Sequence, residues 1–229
     1  MRTLAIGDIH GCYTSLTSLL SRVAPSTDDQ IIFLGDYIDR GADSRGVIEL
    51  LASDSIKGRK VFLRGNHEVM MLDARANPID SHNWLGCGGF ETLLSYGVKV
   101  TADWASAVPE THWQFLEKTS PWFETEKNIY VHGGADPDLD MSAQRALYLY
   151  WSRFEQIRPH KSGKKIICGH SPQMVGVPEV SLSAICVDTG AVFEGWLSCL
   201  DVGSGEYWQA NEEGSTREGR LAGTEERLS

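Results

Sequence analysis

Five short stretches of this chain set acids, imidazoles and a carboxamide beside glycine. Asp8 and His10 lie in Gly7-Asp8-Ile9-His10-Gly11, and Asp36, Asp39 and Arg40 in Gly35-Asp36-Tyr37-Ile38-Asp39-Arg40-Gly41. Asn66 and His67 lie in Gly65-Asn66-His67-Glu68, His132 in His132-Gly133-Gly134, and His170 in Gly169-His170-Ser171-Pro172. Close carboxylates such as Asp36 and Asp39 resist ionising together unless a cation neutralises them. Oxygen and imidazole donors without a thiolate suit Mn²⁺, Fe or Zn²⁺. The donors outnumber what one ion takes, so two ions sharing a carboxylate is the economical arrangement. Taken singly, such a histidine is more often a hydrogen-bonded structural residue, and an acidic turn often caps a helix. The coincidence of five stretches outweighs both readings.

The elements that must position these groups follow one grammar. Thr3 to Ile6 reads as a short strand, then the Asp8 turn, then Leu16, Leu19, Leu20 and Val23 at helical spacing. Gln30 to Leu34 leads to the Asp36 turn and a helix through Val47 to Leu51, and Lys60 to Leu63 leads to Asn66 and a helix over Val69 to Ala74. Alternating strands and helices predict an α/β layer with parallel neighbours and ligands at one strand-end edge. Asn77 to Lys127 reads as a helical cap carrying Trp84, Trp104, Trp113 and Trp122, which are expected as local core. Further strands are expected at Asn128 to Val131 and Lys165 to Ile167, with a helix over Ala143 to Phe154 between them. After that only strand signals remain, at 183–187, 196–202 and 206–209, and they predict a second, largely antiparallel sheet. The expected domain covers 1–210 with the cap at 77–127, and the polar stretch 211–229 reads as a disordered tail.

Composition narrows the partners. The net charge of −10 offers no basic footprint for nucleic acid or an anionic membrane, so neither is expected as a partner. No apolar run approaches the ~18 residues that cross a bilayer. Residues 1–7 already read as a strand entering the site, so no signal peptide is expected. The five cysteines are dispersed and form no Cys-x-x-Cys pair, which fits a reducing cytoplasm.

With these motifs in this order, residues 1 to about 205 resemble the phosphoprotein phosphatase family. These are the calcineurin-like metallophosphoesterases that include serine/threonine phosphatases and the small phosphatase of phage lambda. The resemblance implies two stacked mixed β-sheets flanked by helices. It also implies two divalent ions, Mn²⁺ first, with Fe or Zn²⁺ as alternatives. Asp8 and His10 would bind one, Asp36 would bridge both, and Asn66, His132 and His170 would hold the second. A hydroxide between the ions would attack phosphorus in line, because metal coordination lowers a water's pKa from ~16 to around 7. His67, oriented by Asp39, would protonate the leaving oxygen, help commonly worth ~10²- to 10⁴-fold. Arg40, Arg153 in Tyr150-Trp151-Ser152-Arg153, and Asn66 would bind substrate phosphate.

The function implied is a phosphomonoesterase acting on phosphoserine, phosphothreonine or phosphotyrosine in proteins, or on a small phosphoester. A hydrolase of diadenosine tetraphosphate is the alternative, and a non-catalytic phosphoprotein-binding module is a remote third. The intact Asp39-Arg40-Gly41 and Asn66-His67-Glu68 favour the first. The aromatic-bearing loop that eukaryotic members carry after the last metal histidine is not expected here. Arg64 is expected either to contact substrate or to pair with a site carboxylate, and Asp188 to support the ligands from behind. Cys12 and Cys168 are expected to pack, and His82, His112 and His160 to bond locally or face solvent.

Overall fold

The computed structural model describes residues 1–77, 81–98 and 103–221. Three strand–helix units come first: β1 (Thr3–Ile6) and α1 (Tyr13–Val23), β2 (Gln30–Phe33) and α2 (Ser44–Ala52), then β3 (Arg59–Phe62) and α3 (Asn66–Ala76). The cap contributes α4 (Ser81–Trp84), α5 (Phe90–Ser95) and α6 (Glu110–Lys118). The chain continues through β4 (Trp122–Glu124), β5 (Asn128–Val131), α7 (Ala146–Trp151), β6 (Lys165–Cys168), β7 (Glu179–Val180) and β8 (Ala184–Cys186). It closes with β9 (Leu197–Asp201), β10 (Glu206–Ala210) and β11 (Thr216–Arg220).

Two mixed sheets result, ordered β11-β10-β9-β1-β2-β3 and β4-β5-β6-β8-β7. Side chains alternate across each strand, so each sheet feeds two cores. Ala5, Ile32, Tyr130 and Ile167 meet between the sheets. Leu4, Ile6, Ile31 and Phe33 face the helices of the first sheet, and Ile129, Val131, Ile166 and Cys168 pack on the far side of the second, with Leu149 of α7. Every one of these side chains is fully or nearly fully buried, which is worth ~1.5–3 kcal/mol for each large aliphatic residue.

Three expectations change. The late strands do not make a separate antiparallel sheet: β9 joins β1 antiparallel, pairing Leu4 with Asp201 and Ile6 with Cys199, while β5, β6 and β8 run parallel in the second sheet. The reason is burial, because all five residues of β9 are buried and such a strand needs a neighbour on each side. The stretch 211–221 is ordered, with β11 paired to β10 from Glu206↔Arg220 to Ala210↔Thr216. Its polarity is that of an edge strand, and it is held by Arg22–Glu218 and by Leu221 packed between the sheets. Residues 222–229 of the expected tail lie outside the described residues, as do 78–80 and 99–102 of the cap. Finally, the helix expected over 143–154 is reduced to α7, because Ser152 and Arg153 are extended at ψ 133° and 151°.

The cap packs on the first core. Trp84, Trp104 and Trp113 are buried, with successive ring centroids 4.7 and 5.9 Å apart, so their bulk is core as expected.

Candidate active site

The C-terminal ends of β1, β2, β5 and β6 and the first turn of α3 meet at one edge. Asp8, His10, Asp36, Arg40, Asn66, His67, Arg153 and His170 line a single cavity of about 190 Å³ there. His132 and Asp39 stand directly behind the lining, fully buried. Every site residue picked from the sequence is thus at this edge. The backbone reaches it under strain: His10, Asp36, Asp39, Arg40 and His170 have φ between 48° and 75°. That is the left-handed region, at a cost of about 1–3 kcal/mol for each such residue.

Asp36 is the centre. Its Oδ2 lies 3.3 Å from His132 Nε2, 3.5 Å from His10 Nε2 and 3.9 Å from His67 Nε2. Two groups able to hold a metal ion share it, His10–Asp36–His67 and Asp36–His132–His170, each with its ligand atoms within 4.8 Å of one another. Asn66 Oδ1 joins the second, 2.9 Å from His132 Nε2 and 3.0 Å from His170 Nδ1. The donors fit a divalent cation. His10 Nδ1 donates to the Ile38 carbonyl at 2.8 Å and His132 Nδ1 to that of Leu34 at 2.9 Å, which in a neutral ring leaves Nε2 as a lone pair aimed into the site. His132 Nε2, Asn66 Oδ1 and Asp36 Oδ2 then converge as electron-pair donors. Asp8 takes part in neither group; its carboxylate accepts the His170 backbone N–H at 3.0 and 3.2 Å. Arg40 donates to His10 Nε2 at 2.7 Å, and its guanidinium lies 5.7 Å from the centroid of the Phe193 ring.

The electrostatics suit positive charge. Burial, reinforced by Asp188 and Asp36, pushes the Asp8 carboxyl well up, and burial lifts Asp188 to about 6. Burial holds His10 down to about 3, and burial with the neighbouring His132 holds His170 down to about 4, so both rings are neutral. Burial opposes ionisation of Asp36 too, but His132, His67 and His10 outweigh it and keep this acid well below the usual range.

His67 and Asp39 form a separate pair. His67 Nδ1 meets Asp39 Oδ2 at 2.6 Å, and Nε2 is left facing the cavity side of Asp36. Burial would lower His67, but Asp36 and Asp39 offset it and the net shift is upward. Asp39 is held in turn by Thr92 Oγ1 at 2.6 Å and by Trp84 Nε1 at 3.0 Å. Trp84 is therefore both core and site support, which its composition signal did not reveal. Thr92 carries no sequence signal.

Glu68 was legible only as a motif member. Its carboxylate accepts the backbone N–H groups of Asp36, Tyr37 and Gly65, each at 2.8 Å, and so ties the Asp36 turn to the start of α3. A glutamate three residues after Gly65, the N-cap of α3, is the capping-box spacing that announces such a bond. Gly65 has no alternative, since a Cβ there would lie 2.5 Å from the Asp36 nitrogen. Gly88, at φ 114°, likewise lets the cap approach Arg40, whose N–H bonds its carbonyl at 3.1 Å.

The remaining expectations divide. Arg64 does neither thing expected of it; it donates to Thr119 Oγ1 and to carbonyls at the end of α6, away from the cavity. Asp188 lines the cavity and accepts the Gly190 N–H at 3.0 Å. Cys12 and Cys168 are buried and free, and burial pushes the Cys12 thiol up to about 12. His112 bonds the Tyr96 hydroxyl, His160 the Leu139 carbonyl, and His82 is exposed. Phe193, 47% exposed, lines the cavity from the segment after β8.

The chain matches the family model for calcineurin-like phosphoesterases over residues 1–191. It is 33% identical over 205 residues to serine/threonine-protein phosphatase 1 of Salmonella typhimurium, covering 84% of this chain and 88% of that protein. It is 27% identical to the asymmetrical bis(5'-nucleosyl)-tetraphosphatase PrpE of Bacillus subtilis, over 84% and 87% of the two chains. The cold-active protein-tyrosine phosphatase of a psychrophilic Shewanella shares the fold, with a TM-score of 0.62, 17% identity, and 95% and 80% of the chains covered. Sandwiched mixed sheets, a shared aspartate among histidines at their edge, and a match spanning most of the sequence place this chain in the calcineurin-like phosphoesterase family.

Proposed function

We propose that this chain is a metal-dependent protein phosphatase that hydrolyses phosphoserine and phosphothreonine esters, and phosphotyrosine as well. The observation that carries this reading is the His67–Asp39 contact of 2.6 Å beside Asp36. An alkoxide leaving from serine or threonine needs a proton, whereas a polyphosphate departing from diadenosine tetraphosphate is already a stable anion and needs little help. A buried, oriented and upward-shifted imidazole is the device for the harder leaving group.

With His67 engaged by Asp39, Asp8 on the same cavity wall would join His10 and Asp36 around one divalent ion, and Asp36, Asn66, His132 and His170 would hold the other, with Mn²⁺ as the first candidate. Such ions supply a lowered pKa for water and positive charge against phosphate oxygens. The chain supplies the rest. His67 delivers a proton from Nε2 while Asp39 fixes the ring through Nδ1. Arg40 and Arg153, both on the cavity wall, take the phosphate oxygens with their planar guanidinium groups. Glu68 holds the Asp36 turn in its strained conformation. The hairpin β10–β11 belongs to the same catalytic domain. A cytoplasmic setting is supported by cysteines that are all free. Among the described residues no helix is long and apolar enough to cross a membrane.

Phosphate release with Mn²⁺, measured side by side on a phosphoserine peptide and on diadenosine tetraphosphate, tests this assignment. Higher kcat/KM on the peptide is expected. Faster turnover of the dinucleotide would give the reaction to the alternative that PrpE represents.

A further inference from the structure

Beside the cavity mouth the chain exposes large apolar side chains. Met174 is 69% exposed, Val175 86% and Val177 38%, and Phe193 on the cavity wall is half-exposed. Met174 and Phe193 flank the same point: a Cβ on Gly190 would lie 3.5 Å from Met174 Sδ, 3.8 Å from Phe193 Cδ2 and 3.8 Å from Pro172 Cβ. Gly190, Phe193 and Pro172 all line the cavity, so the apolar lip begins where the cavity ends.

The lip is rigid. The Gly176 N–H closes the turn onto the Gln173 carbonyl at 2.8 Å, and the Gly176 carbonyl accepts from Gln209 at 3.0 Å and from Arg217. Arg217 also lies over the Trp196 ring, 4.1 Å from its centroid. The turn is thus bolted from below while its side chains stay in solvent. On the loop opposite, Phe193 N–H and Gly195 N–H both return to the Gly190 carbonyl, at 2.8 and 3.0 Å. A preordered surface loses little conformational entropy when something docks on it.

We infer that this lip receives the apolar residues flanking the phosphorylated side chain of a phosphoprotein substrate, and so selects among phosphoproteins. The inference rests on the protein-phosphatase reading above. Whatever carries the ester must leave the cavity past its rim, so the docked segment is continuous with the reacting phosphate. The side chains of the turn itself favour an apolar occupant over a polyphosphate. Residues 172–177 carry no charged side chain, Arg40 and Arg153 belong to the cavity wall rather than to the turn, and Glu194, next to Phe193 in the chain, adds an acid where further phosphates would lie. An uncharged apolar segment finds contact there with Met174, Val175 and Phe193.

The test is steady-state kinetics of wild type and the surface variant Met174→Ser/Val175→Ser. The substrates are a phosphoserine peptide with leucine and valine flanks, the same peptide with glycine and serine flanks, p-nitrophenyl phosphate and diadenosine tetraphosphate. Expected is a KM for the apolar peptide about tenfold below that of the polar one in wild type, a preference the variant loses. The variant keeps the wild-type kcat, and its kcat/KM on p-nitrophenyl phosphate stays within twofold. Equal KM for both peptides in wild type, or an unchanged preference in the variant, would overturn the lip and leave the phosphatase reading standing. Turnover of diadenosine tetraphosphate with neither peptide cleaved would overturn both. Sedimentation showing a wild-type dimer that the variant cannot form, with peptide KM unaltered, would assign the patch to a second copy of this chain instead.

Discussion

His67 is poised by two acids that act on it differently. Asp39 orients the ring through Nδ1, and Asp36 stands 3.9 Å from the nitrogen that faces the cavity. His67→Asn is expected to leave metal content unchanged and to lower kcat by ~10²- to 10⁴-fold on phosphoserine peptides. The loss should be much smaller on p-nitrophenyl phosphate, whose leaving group needs no proton. Stopped assays on both substrates, beside metal analysis, read this out. The pH profile carries the same information. Burial lowers the His67 pKa and Asp36 and Asp39 raise it, with a net upward shift before metal binds; once ions neutralise Asp36, Asp39 is the carboxylate left to hold the proton, and activity falls as pH rises through the pKa it sets. Asp39→Asn removes one of the raising charges, and the alkaline limb of kcat/KM should move to lower pH.

At the scale of elements, the late hairpin does more than close a sheet. Glu212, in the turn between β10 and β11, accepts from the Ser15 N–H at 2.6 Å and the Ser15 hydroxyl at 3.0 Å, and so caps α1 from outside its own sequence. Glu212→Ala is expected to cost ~1 kcal/mol, which in a chain of this size lowers Tm by about 2–4 °C, with kcat unchanged. Differential scanning fluorimetry beside a phosphatase assay checks both halves. This cap was illegible in the sequence because its donor and acceptor lie far apart along the chain and the glutamate sits in a polar stretch that reads as tail. Local signals fared better: β1, β2 and β3 with the helices after them, and β5 and β6, lie where their apolar patterns put them, since a short continuous apolar strand and a helix with one buried face both show within a local window. What periodicity does not give is partnership. Nothing in Leu197–Asp201 says that it pairs with β1 as well as with another late strand; only complete burial of all five residues, seen in the fold, explains it.

The whole molecule gathers its chemistry from both sheets, with Asp8 and Asp36 from one and His132 and His170 from the other. Metal held by these residues would therefore cross-link the sandwich. At a free concentration 100 times Kd a bound ion adds ~2.7 kcal/mol, or about 5–10 °C in Tm, so chelation should lower Tm as well as abolish activity. Asp36→Asn, which alters the one side chain both groups share, should deplete both ions and make Tm insensitive to the chelator. Elemental analysis retaining two ions in that variant would refute the shared role. The convergence was legible from residue type and order, because strand ends fix where a ligand stands. The supports were not: Trp84 and Thr92 reach Asp39 from the cap across a spacing that no motif records.

The left-handed backbone at His10, Arg40 and His170 also bears on how this site is to be dissected. Alanine at any of them deletes the function but keeps a Cβ in a conformation that disfavours it, while glycine deletes both. Alanine and glycine variants should be equally inactive and differ in melting temperature, the glycine form being the sturdier. That gap measures directly what the fold gives up to aim its own side chains.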